Sequence, residues 1–179
     1  MGGFIPYWWA IWRGHTRPNR ATWWIWSLVG VVIALSYRAA GAEATIWVPI
    51  TYIIGPVVTS LLAIKFGEGG WTKLDRICLV GVGIGLILWG LYRSPSIALG
   101  INIGIDFLGA LPTIRKSFRR PDDENLLAWL LFSVANALNL LAIDRWMWQI
   151  VIYPIYIFLV TSTIFLLLWR GQRNRYRSI

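Results

Sequence analysis

Apolar residues in this chain come in long blocks. They run over 1–12, 22–40, 44–65, 77–92, 96–114, 125–143 and 146–169, and short Arg-rich polar segments separate them. A bilayer core of about 30 Å takes roughly 20 apolar residues per helix, so the pattern predicts an all-α integral membrane fold with seven transmembrane helices. The first block is short: five residues precede Pro6, against about sixteen before Pro112 in the fifth block. It is read as half-inserted or re-entrant, as leaning on a partner, or as continuing from an upstream start. No cleavable secretion signal is read, because no basic region precedes the apolar run.

The pattern occurs twice. Residues 3–26, "GFIPYWWAIWRGHTRPNRATWWIW", hold six tryptophans, two prolines and a basic loop, and 109–132, "GALPTIRKSFRRPDDENLLAWLLF", repeat that order. Gly3 and Pro6 fall on Gly109 and Pro112 at an offset of 106. After a three-residue difference in the loop, Pro18, Asn19 and Trp26 fall on Pro121, Asp122 and Trp129 at 103; Trp47 and Tyr52 meet Trp148 and Tyr153 at 101. Three helices are therefore duplicated around a fourth. A unit of three helices reverses direction in the membrane unless one more resets it, so the repeats are parallel, an arrangement in which transporters hold substrate near the midplane. The expected divisions are 1–66 (first bundle), 67–95 (linker with the fourth helix), 96–170 (second bundle) and 171–179 (basic tail). Pro18 and Pro121 each stand before a good N-cap residue, Asn19 or Asp122, and are read as helix boundaries.

Composition agrees with this reading: 57% of the residues are hydrophobic, 14% are charged, and the mean hydropathy is +0.59. A net charge of +9 would suggest nucleic acid in a soluble protein, but the placement of the charges argues for topology instead. Fourteen of the seventeen Lys and Arg residues fall on one side of the seven-span scheme; Arg38, Arg93 and Arg145 fall on the other. By the positive-inside rule the C-terminus is cytoplasmic, the N-terminus lies outside, and the membrane is the plasma (inner) membrane. The tail "RGQRNRYRSI" is at most an anionic-lipid anchor.

Three helices, a linker helix and three more, with a proline near the cytoplasmic end of the first helix of each copy, resemble the PQ-loop superfamily and its SWEET-like carriers. The signature Pro-Gln stands here as Pro6-Tyr7 and Pro112-Thr113. The resemblance implies a carrier that moves a sugar or similar small polar solute by alternating access. It also implies that Pro6 and Pro112 act as hinges, which suits a proline that removes a backbone hydrogen bond inside a helix; a static kink is the alternative. A non-transporting membrane receptor or assembly subunit on the same scaffold is the second functional reading. No cofactor is expected, and a homo-oligomer is compatible with the scheme.

Helices two and six should line the cavity. Trp129, Ser133, Asn136 and Leu140 share one face of helix six by 3.6-residue spacing, with Asn139 beside it. Trp26, Gly30, Ile33 and Tyr37 are the corresponding positions on helix two. A large ring beside a small residue suits stacking of a sugar or heterocycle, although Asn136 would serve equally as interhelical glue. Tyr52 and Tyr153 could cap such a cavity with hydroxyls, or satisfy carbonyls that prolines set free. Gly81 and Gly85, and Gly100 and Gly104, have the four-residue spacing of close helix packing. Asp106 is the one acidic side chain placed at bilayer depth, with Asn102 one turn earlier on the same face. A charge there costs about 3 kcal/mol or more, so such residues face a cavity or a partner and mark ion or proton pathways. The other reading is a hydrogen-bonded, protonated Asp that holds helices together. Catalysis and metal binding are not expected: Asp106 has no acidic partner within the spans, His15 is in a loop, and Cys78 is the lone cysteine.

Overall fold

The computed structural model describes residues 2–39, 47–92, 95–144 and 146–176, with side chains for 2–32, 53–92, 97, 99–144, 146–148 and 151–174. Among these residues the fold is all-α: α1 (Phe4–Trp12), α2 (Arg20–Ala39), α3 (Trp47–Phe66), α4 (Lys73–Leu91), α5 (Pro95–Arg119), a 3₁₀ turn (Pro121–Asp123), α6 (Leu126–Leu141) and α7 (Trp148–Tyr176). Each helix falls on one of the seven apolar blocks. Two helical stretches, Lys73–Leu91 and Val151–Asn174, are long and apolar enough to cross a membrane; Ile53–Phe66 and Leu126–Leu141 are apolar but shorter.

Helix starts show why the polar segments break the chain where they do. Asn19 caps α2, its side-chain oxygen accepting from Thr22 N at 3.0 Å. The matching cap of α6 is Asn125, which accepts from Ala128 N at 2.8 Å, and not Asp122 as the repeat suggests. Asp122 lies within the 3₁₀ turn, which inserts three residues between Pro121 and the cap. An Asn cap satisfies one of the orphan N–H groups of the first turn. Thr72 and Asp75 form a reciprocal capping box on α4, at 2.6 and 3.2 Å.

The caps reset the repeat. Asn19 and Asn125, Trp23 and Trp129, and Ser27 and Ser133 all stand 106 apart, the offset of Gly3 and Gly109. The mate of Trp129 is therefore Trp23, which is as deeply buried, and the mate of Trp26 is Phe132. Close contacts obey the same register. A Cβ on Gly109 would meet Ile25 and Trp26 at 2.7 and 3.2 Å, and one on Gly3 would meet Phe132 and the Ala128 carbonyl at 2.6 and 3.2 Å. Only glycine lets α5 lie this close to α2, and the start of α1 this close to α6.

Helix pairing has the same two-fold pattern. α1 packs on α3 as α5 packs on α7, α2 on α3 as α6 on α7, and α1 on α6 as α5 on α2. The halves α1–α3 and α5–α7 therefore exchange their first and second helices across a common interface. The main core comes from both: Tyr7, Ile11 and Trp23 meet Ala110, Ala128, Trp129, Val160, Ile164 and Leu168. α4 breaks the symmetry. It covers Ala21, Ile25 and Val29 of α2 and Ile105 of α5, whereas the α6 mates Leu127, Leu131 and Ala135 are exposed. A Cβ on Gly81 would meet Leu108 of α5 at 2.8 Å and one on Gly85 would meet Ile105 at 2.6 Å, while Gly100 and Gly104 have nothing within 4 Å of that position. The packing role expected of four glycines thus belongs to the pair on α4.

The basic loops converge at one end. Glu68 N donates to Pro18 O at 3.1 Å, Arg17 N to Asp123 O at 2.9 Å, and Gln172 Nε2 to Pro121 O at 2.9 Å. These bonds bring the α1–α2, α3–α4 and α5–α6 loops together with the C-terminal part of α7.

Candidate functional site between the two halves

Asp106 sits in the middle of α5, where that helix packs against α2 and α7. It is 3% exposed. Its backbone carbonyl accepts from Trp26 Nε1 of α2 at 3.3 Å, and its side-chain Oδ2 has no hydrogen-bond partner among the described residues. The Tyr156 hydroxyl of α7 stands near enough to interact with the carboxyl group but outside hydrogen-bond geometry, and it too is without a partner there. Tyr153 lies against Tyr156, ring centroids 5.9 Å apart. A buried carboxylate oxygen left unbonded is costly and is retained where something binds it. Here it can take a proton, a cation or the hydroxyl of a solute. Asn102, one turn earlier, is half-buried.

The α6 residues form a separate group. Ser133 bonds Ser162 of α7 at 2.7 Å, and Asn136 donates to Phe132 O at 2.9 Å and reaches Thr161 Oγ1 at 3.5 Å. Asn136 thus bonds within α6 and reaches α7 at the longer distance. Asn139 is exposed. Trp129 faces Trp26 across the halves at 6.2 Å between centroids, but Tyr7 and Phe132 also stand around it at 6.4 and 5.5 Å. Its ring is fully buried in the main core. Tyr52 lies outside the described side chains, as do Ile33 and Tyr37.

The two prolines differ. Pro112 is inside α5 and buried, where its missing N–H falls in the helix body. Pro6 stands in the first turn of α1, where its N–H would have no intrahelical partner in any case. Pro112 thus stands within a continuous helix and Pro6 at the start of one.

A second buried polar cluster, at the basic-loop end, is not legible in the sequence. Lys116 of α5 pairs with Glu124 at 2.5 Å, both almost wholly buried, and Lys116 also donates to Arg17 O. The Glu124 carboxylate further accepts from Tyr7 OH at 3.1 Å and from Trp129 Nε1 at 2.9 Å. Along the chain both residues look like ordinary solvated charge, one in a basic loop and the other in the acidic run "DDE". At the offset of 106 their mates in the first half are Ala10 and Pro18, so the pair occurs in one copy only. Beside this cluster a cleft of about 90 Å³ is lined by Asn19, Glu68, Asp75, Pro112, Arg115 and Arg120, among others. Among the described residues no group of His, Cys, Asp and Glu could hold a metal ion.

Comparison with protein-family models, with curated proteins and with solved structures finds no match to this chain.

Proposed function

We propose that this chain is an integral membrane carrier of the PQ-loop or SWEET-like kind, moving a small polar solute by alternating access between α1–α3 and α5–α7, with its basic loops in the cytoplasm. The observation that carries this reading is Asp106: a buried carboxylate oxygen without a hydrogen-bond partner among the described residues, in the interface between two halves with matching helix pairings. The bilayer part of the reading rests on exposure. Helices that pass a hydropathy test inside soluble proteins are mostly buried, whereas only 17% of the α4 window and 22% of the α7 window are buried here. Ile77, Val80, Ile84, Ile87 and Leu91 of α4 all face outward. Water would penalise such a surface, while lipid accepts it.

In this scheme Asp106 binds a proton as the interface opens to one side and releases it to the other. Asp106→Asn keeps the shape and removes the titration. Uptake into proteoliposomes should vary from about pH 5.5 to 8 for the native protein and be flat and at least about tenfold slower for the Asn variant. The solute panel is sugars, small acids, amino acids and nucleosides. Equal rates and identical pH profiles for the two proteins would reduce Asp106 to a structural residue. No uptake of any solute, together with a co-purifying protein, would point to a membrane receptor or assembly subunit instead.

A further inference from the structure

Polar contacts between the two halves gather at the basic-loop end. Tyr7 of α1 reaches Glu124, Thr113 of α5 donates to Thr22 of α2 at 2.9 Å, Lys116 reaches the Arg17 carbonyl, Arg17 N reaches Asp123 O, and Arg120 approaches Glu68 at 3.7 Å. Tyr7 and Thr113 are repeat mates, each directly after the proline of its copy, and both are fully buried. The same position thus makes a bond across the interface in each half.

The bonds they make are not equivalent. In the first half the residues at the places of Lys116 and Glu124 are Ala10 and Pro18. One carboxylate, present in one copy only, therefore serves both halves. Its partners Lys116 and Trp129 belong to the second half, and Tyr7 comes from the first. We infer that Glu124 is the fixed half of a latch, held in place by Lys116 and Trp129, and that the Tyr7 hydroxyl is the movable half, so that this conformation is closed at the basic-loop end and opens when the Tyr7 to Glu124 bond breaks.

This inference rests on the carrier reading, but its test needs no transported solute. With Cys78 replaced by Ala, a reporter cysteine at Ala110 lies in the core where Tyr7, Trp23 and Trp129 meet and is reached by a polar maleimide only when the halves part. The reagent is added to sealed vesicles of each orientation, assigned by trypsin cleavage at the exposed Arg170 and Arg173. Tyr7→Phe removes one hydroxyl and leaves the Lys116 to Glu124 pair untouched. Loss of one buried hydrogen bond across the opening equilibrium should raise labelling about 5- to 10-fold, and only in vesicles that present the basic loops to the reagent. Ser133→Ala, which breaks a bond between α6 and α7 inside one half, should leave the rate unchanged. Equal labelling of Tyr7→Phe and its parent overturns the latch. So does an equal rise with Ser133→Ala, a rise from the opposite face, or a Tyr7→Phe protein that loses monodisperse elution, since the hydroxyl would then serve the fold and not the opening. Absence of uptake with a positive labelling result would remove the carrier reading and leave the opening motion.

Discussion

Glu124→Ala is expected to lower the unfolding free energy by about 3–5 kcal/mol, because it leaves the Lys116 charge buried without a partner. Lys116 and Glu124 are 5% and 2% exposed, so water cannot replace the lost carboxylate. The substitution also strips Tyr7 OH and Trp129 Nε1 of their acceptor, and each buried donor left unbonded adds its own penalty. Denaturant or thermal unfolding in detergent measures the loss. Lys116→Met combined with Glu124→Gln removes both charges, and the amide oxygen can accept from Trp129 Nε1 while its NH2 donates to the Tyr7 hydroxyl; it should return to within about 1–2 kcal/mol of the native protein. A Glu124→Ala protein within about 1 kcal/mol of the native one would mean that the pair is solvated.

The second large effect separates the two repeat mates Trp23 and Trp129. Both are fully buried aromatic core side chains, and replacing either by Ala should cost about 3–5 kcal/mol. Phe substitutions should part them. Trp129 Nε1 donates to Glu124, whereas Trp23 Nε1 has no hydrogen-bond partner among the described residues. Trp129→Phe therefore orphans part of a buried carboxylate and should cost about 1–3 kcal/mol more than Trp23→Phe. Trp23→Phe loses ring contacts with Phe4, Tyr7 and Trp26 only in part, since these sit at 6.0, 5.2 and 5.2 Å and a smaller ring still reaches them. Equal costs for the two Phe variants would contradict the asymmetry on which the latch depends.

How far the chain can be read before folding depends on what kind of signal each feature leaves. Seven helices are legible because apolar blocks and polar breaks are local: the cost of leaving backbone groups unpaired among apolar side chains acts within each segment. The repeated order read in the sequence rests on local signals too, in Gly3 with Gly109 and Pro6 with Pro112. Its register is not, because Asp122 and Asn125 are both good caps, and only the path of the 3₁₀ turn chooses Asn125. That choice moves the partner of Trp129 from Trp26 to Trp23.

Asp106 stands out in the sequence because an acidic residue in an apolar block is conspicuous at any register. Its surroundings, an indole from α2 on its carbonyl and the unbonded Tyr156 hydroxyl of α7 beside it, require the helices to be placed. Tyr153 joins that group through Tyr156, while Asn136 and Ser133 spend their hydrogen bonds within the α6–α7 pair and Asn139 turns outward. Lys116 and Glu124 show the limit in the other direction. Along the chain they are two charges among many at a polar boundary, and nothing local distinguishes them from Arg115 or Asp122. Burial and pairing are properties of the assembled end, where the segment before α6 brings a carboxylate to Tyr7 of the other copy. By itself the sequence determined the helices and singled out one carboxylate in an apolar block. The tertiary structure decided which charges leave solvent, because that depends on which segments of distant sequence close over them.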